Sequence, residues 1–351
     1  MQHAAQNLDG AAARYRGLKV PVTGGLGFIG SNLALRLVDL GAQVTVVDPS
    51  VADCGANPHN LSAAPGVRVI AEDIANAAAF AGEIRGSGVI FNLAGEISHI
   101  HSMQWPARDA ALNATGQLKF IGECARQAPG VRIVYASTRQ IYGAPEYLPV
   151  DEDHRVRPVD FNGIHKYAAT QYHLMYSALG MIDATVLCLT NVHGPRMALH
   201  IPCQGLLGNF RSRSLATAGS CAIPYLWMTW WTRFCWPVRR SPPADGCGTW
   251  AARRRYRWPA SRRRSAPRPA RPLRYSAGFP EDLKRIGIGG FASSWAHLHD
   301  ALGWRPRTSF AEGISRSIDY YRREFCHYLE PGDEQPRCAL EVHEAASAAV
   351  L

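Results

Sequence analysis

An α/β fold with a doubly wound parallel sheet is predicted by three observations. A glycine-rich turn follows an apolar run within Lys19 to Gly30, strand-like apolar runs alternate with helical stretches as far as Ala136, and the second run ends in a carboxylate, Asp48. Strands that alternate with helices pair in parallel and need helices on both faces of the sheet.

The turn reads Thr23-Gly24-Gly25-Leu26-Gly27-Phe28-Ile29-Gly30 and opens an amphipathic segment, Ser31 to Leu40. Glycines at 24, 27 and 30 allow a sharp turn, close approach of a pyrophosphate without a Cβ clash, and packing of the helix on its strand. First-turn N–H groups then face the phosphates, where the helix dipole favours negative charge. Gly41 is placed to cap the helix, and Gln43-Val44-Thr45-Val46-Val47-Asp48 reads as the next strand. Asp48 stands 18 positions beyond Gly30, where a Rossmann unit holds the adenosine ribose and repels a 2′-phosphate, which favours NAD over NADP. The bland alternative is a strand-end acid that only starts the turn at Pro49.

Val67 to Ile74 reads as a third strand and Gly88 to Gly95 as a fourth; a helix over Asn113 to Gln127 and a strand over Val131 to Ala136 follow. Residues 1 to 17 lack regular apolar spacing and read as a flexible extension. Pro21 is awkward in a central strand, because it has no N–H for the ladder.

Composition bounds the class. At 351 residues and 47% hydrophobic, the chain can bury a large core in one domain or two closely joined ones. No apolar run is long enough to span a bilayer, and the polar start is unlike a secretory signal. Nine cysteines without a C-x-x-C pair indicate neither zinc nor a disulfide framework. These features predict a cytoplasmic protein with no metal.

The net charge of +10 is confined to one block, since residues 211 to 275 hold 15 arginines against a single acid, Asp245. Six of the nine tryptophans lie there too, without helical or strand periodicity. Taken at face value the block would be a nucleic-acid tail, with arginine for phosphates and tryptophan for stacking.

Taken together, Thr23-Gly24-Gly25-Leu26-Gly27-Phe28-Ile29-Gly30, Asp48, Asp73-Ile74, Asn92-Leu93-Ala94-Gly95, Asn113, Ser137-Thr138-Arg139-Gln140-Ile141-Tyr142-Gly143, Lys166 and Thr190-Asn191-Val192-His193-Gly194-Pro195 resemble the extended short-chain dehydrogenase/reductase family. Its members include the NAD-dependent epimerases and dehydratases of nucleotide sugars, among them the UDP-glucose 4-epimerases. The resemblance covers residues 19 to about 210 and resumes from about 279 to 325. It implies a Rossmann-type domain over 18–210 and a small C-terminal substrate lobe, of which 279–330 is a remnant and 331–351 a tail. It also implies Asp73 and Ile74 against the adenine, Ala94 and Gly95 along the cofactor, Asn113 in the same site, and Thr138 bonded to the reacting sugar hydroxyl. Lys166 would bond the nicotinamide ribose, and Asn191 would meet the substrate's phosphate side. A nucleotide-diphosphate sugar is the implied substrate, and a homodimer through the helices near 113–127 and 163–179 is the implied assembly. Thr138 as a turn cap and Lys166 as a solvated helix residue remain the bland readings.

One departure bears on the chemistry. The family places a tyrosine four residues before the lysine as general base, and here that position is Asn162, whose carboxamide does not titrate near neutrality. Tyr167 is about 140° away around the helix, and His165 points elsewhere. Either another group, such as Tyr142, Glu96 or His99, takes the proton, or the chain binds without turnover, or a loop shift brings in another tyrosine. Asn-Gly-Ile-x-Lys together with Ser-Thr-Arg-Gln-Ile-Tyr-Gly resembles a subgroup of epimerases, which favours the first. Arg139-Gln140 stand where 4,6-dehydratases carry Asp-Glu, which disfavours elimination.

The basic block also bears on the lobe. Trp227 to Trp236 corresponds to TGG ATG ACN TGG TGG ACN CGN TTY TGY TGG; read from the third base of each codon it encodes Asp-Asp-[Leu/Met/Val]-Val-Asp, as the family carries here. Asp245 to Ala251, re-read in the same phase, permits the family's Val-[Tyr/Trp]-Asn-Leu-Gly. A shifted reading frame over 211–278, restored near Phe279, is the expectation. Such a segment cannot offset the entropy of ordering, so it should be disordered and the lobe disrupted.

Overall fold

A computed structural model describes residues 13–51, 54–199, 286–306 and 308–328. Six strands form one parallel sheet in the order β3-β2-β1-β4-β5-β6: β1 is Lys19–Thr23, β2 Gln43–Val47, β3 Arg68–Ile70, β4 Ile90–Asn92, β5 Arg132–Thr138 and β6 Asp183–Leu189. The order reverses between β1 and β4. In an open sheet of this kind, that switch point leaves a crevice beyond the carboxyl ends of the strands.

Alternation along each strand feeds two cores. Val20, Val22, Val44, Val46, Phe91 and Val134 point to one face and pack with Leu33 and Leu37 of helix α1, Phe28–Asp39. Val47, Ile90 and Ile133 point to the other and meet Phe120 and Ile121. Both faces are therefore covered, as the sequence predicts. Tyr15, inside the stretch read as an extension, is fully buried in the first core, so residues 13–17 belong to the domain.

Pro21 is accommodated by the pleat. Leu18 O accepts from Gln43 N and Gly24 N donates to Val47 O on the β2 side, whereas Lys19 O accepts from Gly88 N and Thr23 O from Leu93 N on the β4 side. Alternation turns the missing Pro21 donor toward β4, where the ladder comprises only Val22↔Phe91 and Thr23↔Asn92. Five register pairs with β2 are kept.

Several boundaries differ from the sequence reading. β3 and β4 are three residues each, because Glu72 and Leu93 onward turn into the crevice loops. The helix expected from Asn113 is preceded by α2 (His99–Gln104) and α3 (Pro106–Ala110), then a π-helical turn, Ala111–Thr115, before α4 (Gly116–Gln127). Helix α5 spans Phe161–Ala178 and is N-capped by Asp160, whose Oδ1 accepts from Gly163 N at 2.6 Å.

Past the undescribed stretch, α6 (Ala296–Leu302) and α7 (Phe310–Glu324) follow. Ile288 and Phe291 pack on Ile141, Tyr142 and Val150, and Tyr321 Oη donates to Met197 O at 2.6 Å. The described residues after 285 therefore dock on the half of the chain that carries the sheet. The segment 211–278 and the tail 331–351 lie outside the described residues.

Gly30 shows how tightly the turn is packed: a Cβ there would lie 2.1 Å from Gly24 O, a backbone atom. Gly30→Ala is expected to cost about 3 kcal/mol, read as a lowered denaturation midpoint.

Candidate active site

The crevice opens above β1 and β4. Gly24 turns the chain at φ +66°, and a Cβ on it would meet Leu93 O at 2.7 Å. Gly27, the N-cap of α1, would meet only Gly24 O at 3.3 Å and otherwise faces open space. No side chain caps α1 and no acid stands in its first turn, so the amides of Phe28, Ile29 and Gly30 remain available to an anion. All five residues line the cleft.

Asp48 follows β2 and is buried. Its Oδ2 accepts from Leu26 N at 3.0 Å and its Oδ1 from Ser50 N at 2.9 Å. Burial pushes its carboxyl up, and those two N–H groups pull it part of the way back. Asp73 and Ile74 form the wall alongside. Asp73 Oδ1 also caps the next turn, accepting from Ala75 N at 2.7 Å.

At the other end Ala94, Gly95, Thr138, Asn162, Lys166 and Asn191 line the same cleft. Asn113 is fully buried and stands behind the wall of the cleft. A Cβ on Gly95 would lie 2.5 Å from Asn113 Oδ1 and 2.9 Å from Lys166 Nζ. The missing side chain at Gly95 thus leaves the ammonium room to face the cleft. The π turn swings Asn113 inward, where Nδ2 donates to Glu96 O at 3.0 Å and Asp109 Oδ2 at 3.1 Å.

Lys166 is buried, with Nζ 3.4 Å from Ala136 O and 5.7 Å from the Tyr135 ring centroid. Burial pushes its ammonium down to about 8, against the attraction of Asp109 and Glu96. Thr138 fulfils its bland role too, since Oγ1 accepts from Gln140 N at 3.2 Å. A hydroxyl oxygen that already accepts one bond still has its own proton to give.

Asn162 sits at the wall, but its amide nitrogen is committed: Nδ2 donates to Glu96 O at 2.9 Å and to Asp109 Oδ2 at 3.1 Å. It ties α5 to α3 and to the loop after β4. His165 lies outside the cleft lining, with Nδ1 2.7 Å from Asp109 Oδ1. Tyr167 packs against the apolar cluster of Ile141 and Phe291. Tyr142 belongs to that cluster also; its hydroxyl lies 3.9 Å from Cys188 Sγ, and burial pushes it up. Glu96 is buried with Oε1 accepting from Ile97 N and Ser98 N, while Oε2 accepts from Cys54 Sγ at 3.3 Å. Among the described residues that line the cleft, none is a tyrosine. Of the three groups weighed as replacements, His99 alone lines it.

Two features carry no clear signal in the sequence. Thr23, Asn92, Gln117 and Ala94 close a hydrogen-bonded ring beneath the cleft floor, with Asn92 Nδ2 donating to Gln117 Oε1 at 2.7 Å and Gln117 Nε2 to Ala94 O at 2.9 Å. Arg139 lines the cleft with its guanidinium 5.4 Å from the Phe291 ring centroid and its buried Nη1 without a hydrogen-bond partner among the described residues. Burial pushes its guanidinium down to about 10.

Among the described residues one other cluster has metal-ligating side chains: His59, Glu324 and His327, with ligand atoms within 4.8 Å of one another. His59 Nε2 is 2.9 Å from Glu324 Oε2, and the two imidazoles stack at 3.5 Å. Those contacts suffice to clasp the end of α7 to the turn at Pro58–Leu61.

The residues fit a dinucleotide on the chain's own terms. Free amides stand at a glycine N-cap, a buried carboxylate stands one strand away, and a desolvated ammonium faces the far end. No described helix is long and apolar enough to cross a membrane. The model of the NAD dependent epimerase/dehydratase family matches residues 20–213. A UDP-glucose 4-epimerase of Mycolicibacterium smegmatis is 27% identical over 327 residues, covering 88% of this chain and 99% of that protein. A putative UDP-glucose 4-epimerase of Methanocaldococcus jannaschii is 30% identical over 177 residues, 50% of this chain and 56% of that one. In fold, the chain is similar to a Thermotoga maritima UDP-glucose 4-epimerase solved with UDP-glucose, with a TM-score of 0.63 at 19% identity over 87% of this chain and 99% of that one. It is equally similar to a Streptomyces venezuelae dTDP-glucose 4,6-dehydratase solved with NAD, at TM-score 0.63 and 19% identity over 87% and 97%. On its glycine turn, its strand order and the family model matched across more than half its length, the chain belongs to the NAD-dependent epimerase/dehydratase family.

Proposed function

We propose that the chain is a nucleotide-sugar epimerase that oxidises a sugar hydroxyl transiently and returns the hydride to the opposite face. The observation that carries this reading is the single cleft in which the Gly27 turn and Asp48 stand at one end and Thr138 and Lys166 at the other. Bound NAD supplies the hydride acceptor and donor. Amides of α1 hold the pyrophosphate, Asp48 the adenosine ribose, and Lys166 the nicotinamide ribose. Thr138 Oγ1 bonds the reacting hydroxyl, while Asn191 and Arg139 meet the substrate's anionic side.

Asn162 keeps the tyrosine's place in the packing without its chemistry. Inversion is favoured over dehydration because Arg139 and Gln140 offer no carboxyl pair for elimination, and because the similarity to a UDP-glucose 4-epimerase runs nearly the length of that protein. A dimer is also part of the reading: Leu118 on α4, Ile164 and Met175 on α5, and Leu179 at the C-cap of α5 are exposed apolar side chains on two packed helices.

The test is incubation of the purified chain with UDP-glucose and with UDP-galactose, followed by sugar analysis and calorimetry. Interconversion is expected. Binding of both NAD and UDP-sugar without inversion would support instead a non-catalytic sugar-nucleotide binder, the second reading that Asn162 motivates.

A further inference from the structure

An epimerase that lacks the tyrosine needs another group to take the hydroxyl proton, and the cleft contains a built alternative. His99 opens α2 and lines the cleft with Thr138, Asn162 and Lys166. Its Nδ1 is buried and lies 3.0 Å from Asp160 Oδ2. The contact is within ion-pair distance but falls outside hydrogen-bond geometry.

Asp160 is fixed for this task. Its side chain is fully buried, Oδ1 accepts from Gly163 N at 2.6 Å, and Oδ2 accepts from Gln140 Nε2 at 2.7 Å. Gln140 is itself held, donating to Ile286 O at 3.2 Å. Burial works against the carboxylate, but His99 and the Gly163 and Gln140 donors outweigh it and hold Asp160 below the ordinary carboxylate value. A carboxylate fixed on one imidazole nitrogen leaves the other as the acceptor and stabilises the cation formed when it takes a proton.

The other groups are spent. Glu96 is engaged by two amides and a thiol, Tyr142 lies in an apolar cluster, and Asn162 has no basic atom. Lys166 stays mostly protonated at neutral pH, with its ammonium released only near pH 8.

We propose that His99 is the proton acceptor and donor of this active site, with Asp160 as its positioning residue and Gln140 holding Asp160 in place. The proposal rests on the epimerase reading above. In the forward step the sugar O–H and the C–H on the same carbon break and the C=O forms. His99 Nε2 would take the hydroxyl proton, the O–H pair would close the C=O, and the C–H pair would leave as hydride to a bound nicotinamide. The return step reverses each transfer, with the hydride delivered to the opposite face.

Two measurements on the full chain test this. The first is kinetic: H99Q should lower kcat for UDP-sugar inversion by about a hundredfold or more, with NAD and UDP-sugar affinities within about threefold of wild type. Added imidazole should restore part of the activity of H99A. The second needs no turnover: nitrogen-15 shifts of labelled histidine, with His99 assigned by its loss in H99Q, should show Nδ1 protonated and Nε2 bare. D160N should abolish that preference.

Inversion by H99Q within a few-fold of wild type overturns the dyad while leaving the epimerase reading intact. A His99 protonated on Nε2 and indifferent to D160N also overturns it. A wild-type chain that inverts no UDP-sugar overturns the epimerase reading; the tautomer then still decides whether Asp160 directs His99.

Discussion

Gly27→Val is expected to abolish NAD binding while leaving the fold intact. A Cβ at Gly27 meets only Gly24 O, at 3.3 Å, a contact that a shift of a few tenths of an ångström relieves, and its φ of −72° suits any L-residue, so the cost to the chain itself is small. The branched side chain instead projects into the space above the amides of Phe28 to Gly30, where the pyrophosphate belongs. Loss of two charge-assisted hydrogen bonds is worth about 3 to 6 kcal/mol, which is a weakening of more than about a hundredfold. Calorimetry with NAD reads the affinity, and circular dichroism checks that the melt is unchanged. Gly30→Ala gives the converse pattern, because there the added Cβ would lie only 2.1 Å from the same Gly24 O.

Lys166→Met is expected to stabilise the cofactor-free protein while disabling it. Burial lowers the ammonium from 10.5 in the unfolded chain to about 8 in the folded one. Below about pH 8 both states hold the proton, and the folded state bears the full cost of a desolvated charge. Between about 8 and 10.5 the unfolded chain binds more protons, so wild-type stability rises with pH through that window. The cost at neutral pH is about 3 kcal/mol. K166M should therefore unfold at higher denaturant than wild type at pH 7, and the gap should close as pH approaches about 10.5. Turnover should fall about a hundredfold or more, because the ribose contact and the charge beside the reacting hydroxyl are both lost. Denaturant titrations across pH read the first effect and sugar analysis the second.

The cofactor end of the site was legible because local spacing dictates it. Gly24, Gly27 and Gly30 lie within one turn, and Asp48 ends the next strand, so short-range geometry alone brings them to one crevice. Strand number three was read too long because Glu72 and Asp73 continue its letters while their backbone turns away to cap the next element. Pro21 looked wrong until the pleat showed which side its missing donor faces.

The reacting end was less legible, because its contacts are non-local. Asp109 joins Asn113, Asn162 and His165 from across 4 to 56 positions of sequence, and nothing in its own neighbourhood marks it. The π turn at Ala111–Thr115 carries no composition signal, yet it decides that Asn113 stands behind the wall. His99 and Asp160 meet across two helix starts, a pairing that only the packing of α2 against α5 produces. Asn162 was recognisable as a departure from the sequence alone; its task of tying three elements together was not.

The central claim is that the crevice between β1 and β4 holds a dinucleotide by the Gly27 turn and Asp48. A crystal structure of the chain grown with NAD tests it most directly. The pyrophosphate should lie over the amides of Phe28 to Gly30, with the adenosine ribose on Asp48 and the nicotinamide toward Thr138 and Lys166. Well-ordered protein with that crevice empty at saturating NAD, or with the dinucleotide bound elsewhere, would contradict the account.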